Sequence, residues 1–281
     1  LKIEDNRYPN ETNLAMTSAF RIRPTIVVNN PIVTDKWTVN SPQTIKWTQT
    51  KGNAVTAVDI YYSTDGGSTY VPTPITSGFS MGTGVELNQQ KSFPWTVPDA
   101  IGTNVVVKVR DAAVGYSEVK GVSAVFKIKG GLTLTSPTGG ATKTAATDTD
   151  VTWTFTGSIA NVNVYYDADT TNGVIWTLVG TKNQTGCTGS CAYTWTTINT
   201  PAFPATVGNN YRIKITNAAD EIDVVSEGTD FKIGAQFDIT SPENGTPVYA
   251  EDVSTDITWA TQKGSGINKI HLYYSNSDLS A

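Results

Sequence analysis

The chain has 281 residues, and its 25 acidic residues outnumber its 20 lysines and arginines, which gives a net charge of −5. This balance, without a cluster of basic residues along the sequence, argues against nucleic acid as a partner, because binding the phosphate backbone needs a basic stripe. No apolar run is long enough to cross a bilayer. The chain is rich in glycine and threonine, and no stretch has the apolar spacing of a helix. The composition therefore predicts an all-β protein.

A tandem repeat of about 106 residues organises the chain. Trp47, Trp153 and Trp259 lie 106 residues apart, and each precedes a second strand-like segment that ends in two tyrosines. Three other series keep nearly the same step: Lys2, Lys108 and Lys214; Phe20, Phe126 and Phe231; Pro31, Pro137 and Pro242. A unit of this length is large enough for one hydrophobic core. The period therefore predicts an array of small domains.

The repeat register divides the chain into four segments. Residues 1–24 are the C-terminal strands of an incomplete sandwich, 25–129 and 130–234 are complete repeats, and 235–281 are the N-terminal part of a further repeat. Because the chain opens and stops within repeats, we expect it to be part of a longer protein. The alternative is head-to-tail complementation, in which residues 1–23 supply strands to the last repeat of another copy.

Each complete repeat shows seven short strands with alternating apolar and polar residues and turn signals between them. With a tryptophan on an early strand, this pattern predicts an immunoglobulin-like or fibronectin III-like β-sandwich. Junctions of a few residues between repeats favour a semi-rigid rod. Large aromatic side chains dominate the burial in such cores. The predicted core anchors are Trp47, Trp95, Trp153, Trp195 and Trp259.

Several motifs of the second repeat are similar to those of a known surface module. They are Thr135–Pro137, Asp150–Trp153, Tyr193–Thr196, Tyr211–Asn217 and Ser226–Ile233. The pattern resembles the Ser/Thr-rich, GPI-anchored surface family of fungi, which is related to cell-wall glucan-synthesis proteins and has modules in large exported prokaryotic repeat proteins. This chain departs from the pattern by an insertion at Asp167–Val174 and by a cysteine-containing loop. The resemblance implies an exported, structural role at the cell surface.

Two kinds of covalent modification are predicted. Cys187 and Cys191 are the only cysteines, and a glycine-containing segment between two strands favours a disulfide that closes a small ring. A metal site is the rival, although a lone pair cannot complete a tetrahedral site. A disulfide implies an oxidising compartment. Asn10, Asn183 and Asn244 begin glycosylation sequons in predicted loops.

Three features suggest ligands, and each has a structural alternative. Asp220, Asp223 and Glu227 are weak candidates for calcium, since hard cations prefer carboxylates on flexible loops, but solvated loops are the favoured explanation. The outward tyrosines Tyr61, Tyr165 and Tyr273 would stack on sugars, unless they pair across strands. The segment from Ser63 to Tyr70 resembles the Asp-box of sialidases, which is a hairpin turn and is not catalytic.

Nothing in the sequence predicts catalysis or a cofactor. His271 is the only histidine, is expected on the outward face of a strand, and has no equivalent in the complete repeats. We therefore expect a non-enzymatic, extracellular structural protein that associates with itself in a fibre, surface layer or stalk. An adhesin or glycan-binding array, and accessory repeats of a large secreted hydrolase, are the alternatives.

Overall fold

The computed structural model describes residues 2–3, 15–16, 23–52, 54–82, 87–113, 115–242 and 256–273. The chain divides into two compact units, Leu1–Lys129 and Gly130–Ala281. The described residues are nearly all strands and loops, and their one helix is a short 3-10 turn at Thr170–Asn172. No helix in these ranges has the length and hydrophobicity needed to span a membrane. The fold is all β, as predicted.

The first unit contains eleven strands in its described part. They are β1 (Lys2–Ile3), β2 (Ala15–Met16), β3 (Thr25–Asn30), β4 (Lys36–Thr38), β5 (Pro42–Lys51), β6 (Ala57–Ser63), β7 (Thr76–Ser80), β8 (Gln90–Thr96), β9 (Gly102–Asp111), β10 (Lys120–Val122) and β11 (Phe126–Lys129). β1 and β2 form an antiparallel pair. The other strands form a three-stranded sheet, β3-β5-β8, and a larger sheet, β4-β11-β9-β6-β7, in which β10 also pairs with β9. This two-sheet arrangement is that of an immunoglobulin or fibronectin III-like sandwich.

The second unit repeats this plan. Its strands are β12 (Gly131–Ser136), β13 (Thr142–Thr144), β14 (Thr149–Thr156), β15 (Asn161–Asp167), β16 (Thr177–Asn183), β17 (Ser190–Trp195), β18 (Gly208–Asn217), β19 (Asp220–Glu227), β20 (Phe231–Gly234), β21 (Gln236–Ser241) and β22 (Thr258–Lys263). The sheets are β12-β14-β17 and β13-β20-β18-β15-β16, with β19 on β18 and a separate pair β21-β22. One residue separates β11 from β12, and one separates β20 from β21.

Period-two patterning explains how each sandwich forms. On β9, Val105, Val107 and Val109 are fully buried, whereas Lys108 between the last two is only partly covered. Val106, which points to the other face, is also buried. On β18, Ile213 and Ile215 take the same inward positions. Because successive strand residues point to opposite faces, one face of each sheet is apolar and packs on its partner. Each unit therefore has its own core, and the two cores share no residue.

The last strand of each complete sandwich is split in two. In the first unit β10 and β11 both pair with β9, and Ser123 between them accepts a hydrogen bond from the amide of Val107 at 3.0 Å. β10 also passes close to β3, where a Cβ on Gly121 would lie 2.5 Å from the carbonyl oxygen of Ile26. Glycine is thus required because the two backbones nearly touch.

Some expectations from the sequence need correction. Among the described residues each complete repeat has nine strands, not the seven predicted. The strands that were not predicted are β4 and β13, which pair in parallel with β11 and β20, and β10 and β19, which pair with β9 and β18. The strand expected from Ile270 onward is absent from the part of it that the structure describes, residues 270–273. In the complete repeats the equivalent strands β6 and β15 are each held between two neighbours. Residues 270–273 have no such neighbours among the described residues, so no ladder holds them extended.

Candidate functional site

Four of the five predicted tryptophan anchors lie in the two cores. Trp47, Trp153 and Trp195 are fully buried and Trp95 is 7% exposed. Trp259 is the exception, because 40% of its surface is exposed. It lies on β22, whose described sheet consists of β21 and β22 alone. Among the described residues no second sheet packs on this pair, so the tryptophan is only half covered and is not a core anchor here.

The buried indole N–H groups have different partners in the two units. Trp153 Nε1 donates to Gln184 Oε1 at 2.9 Å, and Gln184 Nε2 donates in turn to the carbonyl of Ile159. Trp47 Nε1 instead contacts the sulfur of Met81 at 3.3 Å. A buried donor needs a partner to avoid a desolvation cost. The second unit supplies that partner with a buried glutamine, which the sequence pattern did not indicate.

The cysteine loop closes as a disulfide between Cys187 and Cys191, whose Cα atoms are 5.4 Å apart. Cys191 begins the core-facing part of β17 and pairs in register with Trp153 on β14. Its side chain is largely buried in the second core. The disulfide therefore joins the loop that precedes β17 to the strand itself, next to the central tryptophan.

One of the three predicted glycosylation sites lies in the described residues. Asn183 ends β16 and is exposed, and its side-chain oxygen accepts a hydrogen bond from the amide of Thr185 at 2.8 Å. The middle residue of this sequon, Gln184, is the buried partner of Trp153. Asn10 and Asn244 lie outside the described residues.

The segment that resembles an Asp-box forms a hydrogen-bonded turn. Both carboxylate oxygens of Asp65 accept from the amide of Thr69, at 2.9 and 3.0 Å, and Ser63 Oγ donates to Asp65 at 2.6 Å. Ser63 Oγ also accepts from the amide of Gly67. The hydrogen bond from Ser63, followed by those from Thr69, holds the pKa of Asp65 far below its ordinary value. The carboxylate thus organises the loop between β6 and β7.

Asp59 lies on the outer side of β6 but is nearly inaccessible. Arg110 Nη2 forms an ion pair with it at 2.9 Å, and the Ser77 hydroxyl and the Gly78 amide also donate to it. Burial raises the pKa of Asp59, but the hydrogen bonds from Gly78, Arg110 and Ser77 outweigh it and lower the pKa overall. The same arginine donates to the hydroxyl of Tyr61 at 2.9 Å. The sequence did not indicate this network, whose members are up to 51 residues apart.

The outward tyrosines of the complete repeats pair with lysines across strands. Lys108 Nζ lies 4.8 Å from the ring centre of Tyr61 and 3.5 Å from that of Tyr70. Lys214 Nζ lies 4.8 Å from the ring centre of Tyr165 and 4.6 Å from that of Trp176. Each ammonium is therefore held between two aromatic rings.

The third tyrosine differs from the other two. Tyr273 is 90% exposed, and its ring centre lies 6.4 Å from that of His271. His271 itself is exposed and lies in an irregular segment, not on a strand as the sequence predicted. No strand neighbour supplies these two rings with a lysine in the described part of this segment.

The calcium candidates are not gathered into a site. Asp220, Asp223 and Glu227 all lie on the strand β19, which pairs with β18, and not on a loop as the sequence predicted. The neighbouring Glu221 is engaged elsewhere, because its carboxylate accepts from Tyr165 Oη at 2.8 Å and from the Asn163 amide. Within the described ranges, no three acidic, histidine or cysteine side chains are grouped as metal ligands.

The insertion at Asp167–Val174 shapes one end of the second sandwich. Asp169 caps the 3-10 turn by accepting from the Thr171 amide at 3.0 Å, and its pKa is lowered by hydrogen bonds from the Thr171 side chain and amide. Beside this loop lies an open cleft of about 420 Å³, which Asp169, Asn209 and Asn210 help to line. A second depression of about 300 Å³ lies next to it, near Ile175. The sequence indicated the insertion but not these clefts.

Comparisons with known proteins do not assign the chain to a family. No protein-family model matches it, and no curated protein matches it either. Among solved structures, it matches the fibronectin(III)-like modules of CbhA from Clostridium thermocellum at 13% identity, over 74% of this chain and 93% of that chain, with a TM-score of 0.23. This similarity is too low to support an argument by itself. The strand order and register of the two units define the fold.

Proposed function

We propose that this chain is a segment of an extracellular repeat protein that acts as a non-catalytic structural spacer in a fibre, surface layer or stalk. The observation that carries the proposal is the repetition of one sandwich plan with a single residue between consecutive repeats. A sandwich buries its own core, so each module can bear load without its neighbours, and a one-residue connection limits bending.

The disulfide supports an extracellular location, because such bonds persist in oxidising compartments. The resemblance to exported surface modules points the same way. The network around Asp59 and the turn around Asp65 also favour a structural role, because their polar groups are used to hold strands and loops together.

Small-angle X-ray scattering would test the spacer function. With each module about 30 to 40 Å long, the unmodified chain should give an extended particle with one narrow set of dimensions. A variant with a ten-residue Gly-Ser linker inserted between Lys129 and Gly130 should show a broader distribution of particle dimensions, because that linker is flexible. Identical dimensional spread for both chains would contradict the spacer function, since the natural junction would then restrict nothing.

A further inference from the structure

A basic face lies on the outside of the larger sheet of the first unit. The strand register places two rows of three residues side by side across β6, β9 and β10. One row is Tyr61, Lys108 and Val122, and the other is Asp59, Arg110 and Lys120. We call these six residues the basic face. It carries three cations against one carboxylate, in a chain whose overall charge is −5.

The positive charges of this face are closely grouped. Burial lowers the pKa of Lys108, and the neighbouring charges of Arg110 and Lys120 lower it further. Asp59 is already saturated by hydrogen bonds, and its side chain is only 7% exposed, whereas that of Arg110 is 33% exposed. Lys120 is exposed. An approaching ligand therefore meets cations and not the carboxylate.

The equivalent face of the second unit provides an internal comparison. Its two rows are Tyr165, Lys214 and Glu227, and Asn163, Thr216 and Val225. The aromatic-lysine contact is retained, but Glu227 balances Lys214, and a buried threonine and a valine replace the other two cations. The excess of positive charge thus belongs to the first unit and is not required by the sandwich fold.

We infer that the basic face binds an anionic polysaccharide, a polymer with repeated carboxylate or sulfate groups, through Lys108, Arg110 and Lys120. Lys108 and Arg110 are two positions apart on one strand, and Lys120 is opposite Arg110 on the next strand, so their Cα atoms are spaced by roughly 5 to 7 Å. A flat surface with this spacing suits several charges of one extended chain. Tyr61 and Tyr70 hold the ammonium of Lys108 in place, which reduces the ordering cost of binding.

The same observations disfavour nucleic acid at this face. Single-stranded nucleic acid binds largely by stacking bases on free aromatic faces. Here Lys108 already lies over the rings of Tyr61 and Tyr70. A broad sheet face also does not fit the grooves of a duplex as a helix or a two-stranded ribbon does. Charge pairing with a polymer at the surface remains the contact that the basic face offers.

Affinity electrophoresis of the full chain would test this inference. Native gels containing polygalacturonate, dextran sulfate or neutral dextran would compare the unmodified chain with Lys120→Gln, Lys120→Glu and the control Lys46→Glu. Lys46 is exposed on the three-stranded sheet of the same unit, so its reversal changes the net charge equally. Thermal unfolding would verify that all four chains are folded.

The chain should be retarded by polygalacturonate, dextran sulfate or both, but not by dextran, and retardation should decrease at high salt. The two anionic gels separate carboxylate from sulfate recognition. Lys120→Glu should weaken binding by about fivefold to tenfold, Lys120→Gln by less, and Lys46→Glu by under about twofold.

Three results would overturn the inference. The first is no retardation by either anionic polymer. The second is an equal loss for Lys46→Glu and Lys120→Glu, which would mean that net charge alone decides binding. The third is a concentration-dependent oligomer, seen by sedimentation without polymer and abolished by Lys120→Glu, because a second copy would then occupy the face. None of these results bears on the scattering test of the spacer function.

Discussion

At the scale of single residues, the two central tryptophans show that equivalent indole N–H groups can have different acceptors in the two units. Trp47 and Trp153 occupy the same place in the repeat and are both fully buried. The first places its N–H against the sulfur of Met81, a weak acceptor, and the second against the amide oxygen of Gln184. Gln184 also donates to the carbonyl of Ile159, so one side chain links the indole of Trp153 to the backbone just before β15.

Replacement of Gln184 by methionine should therefore destabilise the second unit. The change gives Trp153 a methionine sulfur as its acceptor, as Trp47 has in the first unit. However, the substitution removes the donor to the carbonyl of Ile159 and weakens the acceptor for the Trp153 N–H. A buried group left without its partner costs about 1 to 3 kcal/mol, so the free energy of unfolding should fall by that amount in urea titrations. The control Gln262→Met changes an exposed glutamine of β22 and should have little effect. Equal stability of Gln184→Met and the unmodified chain would refute the role given to this hydrogen bond pair.

At the scale of elements, the turn after β6 and the crossing of β3 by β10 are decided by single positions. The Asp65 carboxylate accepts from both the amide and the hydroxyl of Thr69, which closes the turn. The crossing depends on Gly121, beside which there is no room for a Cβ. In the second unit Ser226 takes the equivalent place, and its Oγ accepts from the Leu134 amide at 3.0 Å. The same crossing is thus made by close backbone approach in one unit and by a side-chain hydrogen bond in the other.

The turn predicts that the stability of the first unit depends on pH. Because hydrogen bonds lower the pKa of folded Asp65 below its ordinary value of 3.8, the ionised carboxylate stabilises the folded state above that pH. This contribution is lost as the pH falls below about 4 toward the folded pKa. Thermal unfolding would be measured at pH 6 and at pH 3. The loss of stability between the two pH values should be smaller for Asp65→Ala than for the unmodified chain, because the variant lacks this carboxylate. A larger or equal loss for the variant would contradict this prediction.

The close approach of β10 to β3 predicts that adding a methyl group at Gly121 lowers the stability of the first unit. Gly121→Ala places a Cβ against the Ile26 backbone, so the strands must separate, and such overpacking costs about 1 to 3 kcal/mol. Val122→Ala is the matched control on the same strand, where the side chain is 44% exposed and should matter little. Urea unfolding of both variants would measure the difference. If Gly121→Ala is no less stable than Val122→Ala, β10 and β3 do not approach as closely as described.

At the scale of the whole molecule, the chain is divided into two units with separate cores. Seventeen or more side chains make up each core, and none belongs to both. The only disulfide lies in the second unit, beside Trp153. Stability is therefore a property of each unit, and a change in one core should leave the other unaffected.

Removal of the disulfide tests this independence. A bond that closes so small a ring contributes about 2 kcal/mol in the chain-entropy model. The double variant Cys187→Ser/Cys191→Ser should lower one unfolding transition in differential scanning calorimetry and leave the transition of the first unit unchanged. Gly121→Ala should do the reverse. A shift of both transitions by either variant would mean that the units unfold as one cooperative body.

Much of the strand pattern was predictable, because the alternation of apolar and polar residues that sets burial is visible within the sequence of each single strand. The alternation on β9 and β18 and the burial of Trp47 and Trp153 are of this kind. The exposure of Trp259 was not predictable in this way, because it depends on whether a second sheet covers β22. The parallel strands β4 and β13 were missed because three residues are too few to show a period.

The sequence by itself determined the repeat length, the all-β class and which strand faces turn inward, since these depend on composition and spacing along the chain. Only the tertiary structure decided which outward residues meet. Arg110 reaches Asp59 across 51 residues, and Lys108 reaches Tyr61 through the register of β6 with β9. Strand pairing brings distant positions within a few ångströms, and a sequence pattern does not record the partner. The basic face, and the polymer that it is proposed to bind, follow from that pairing.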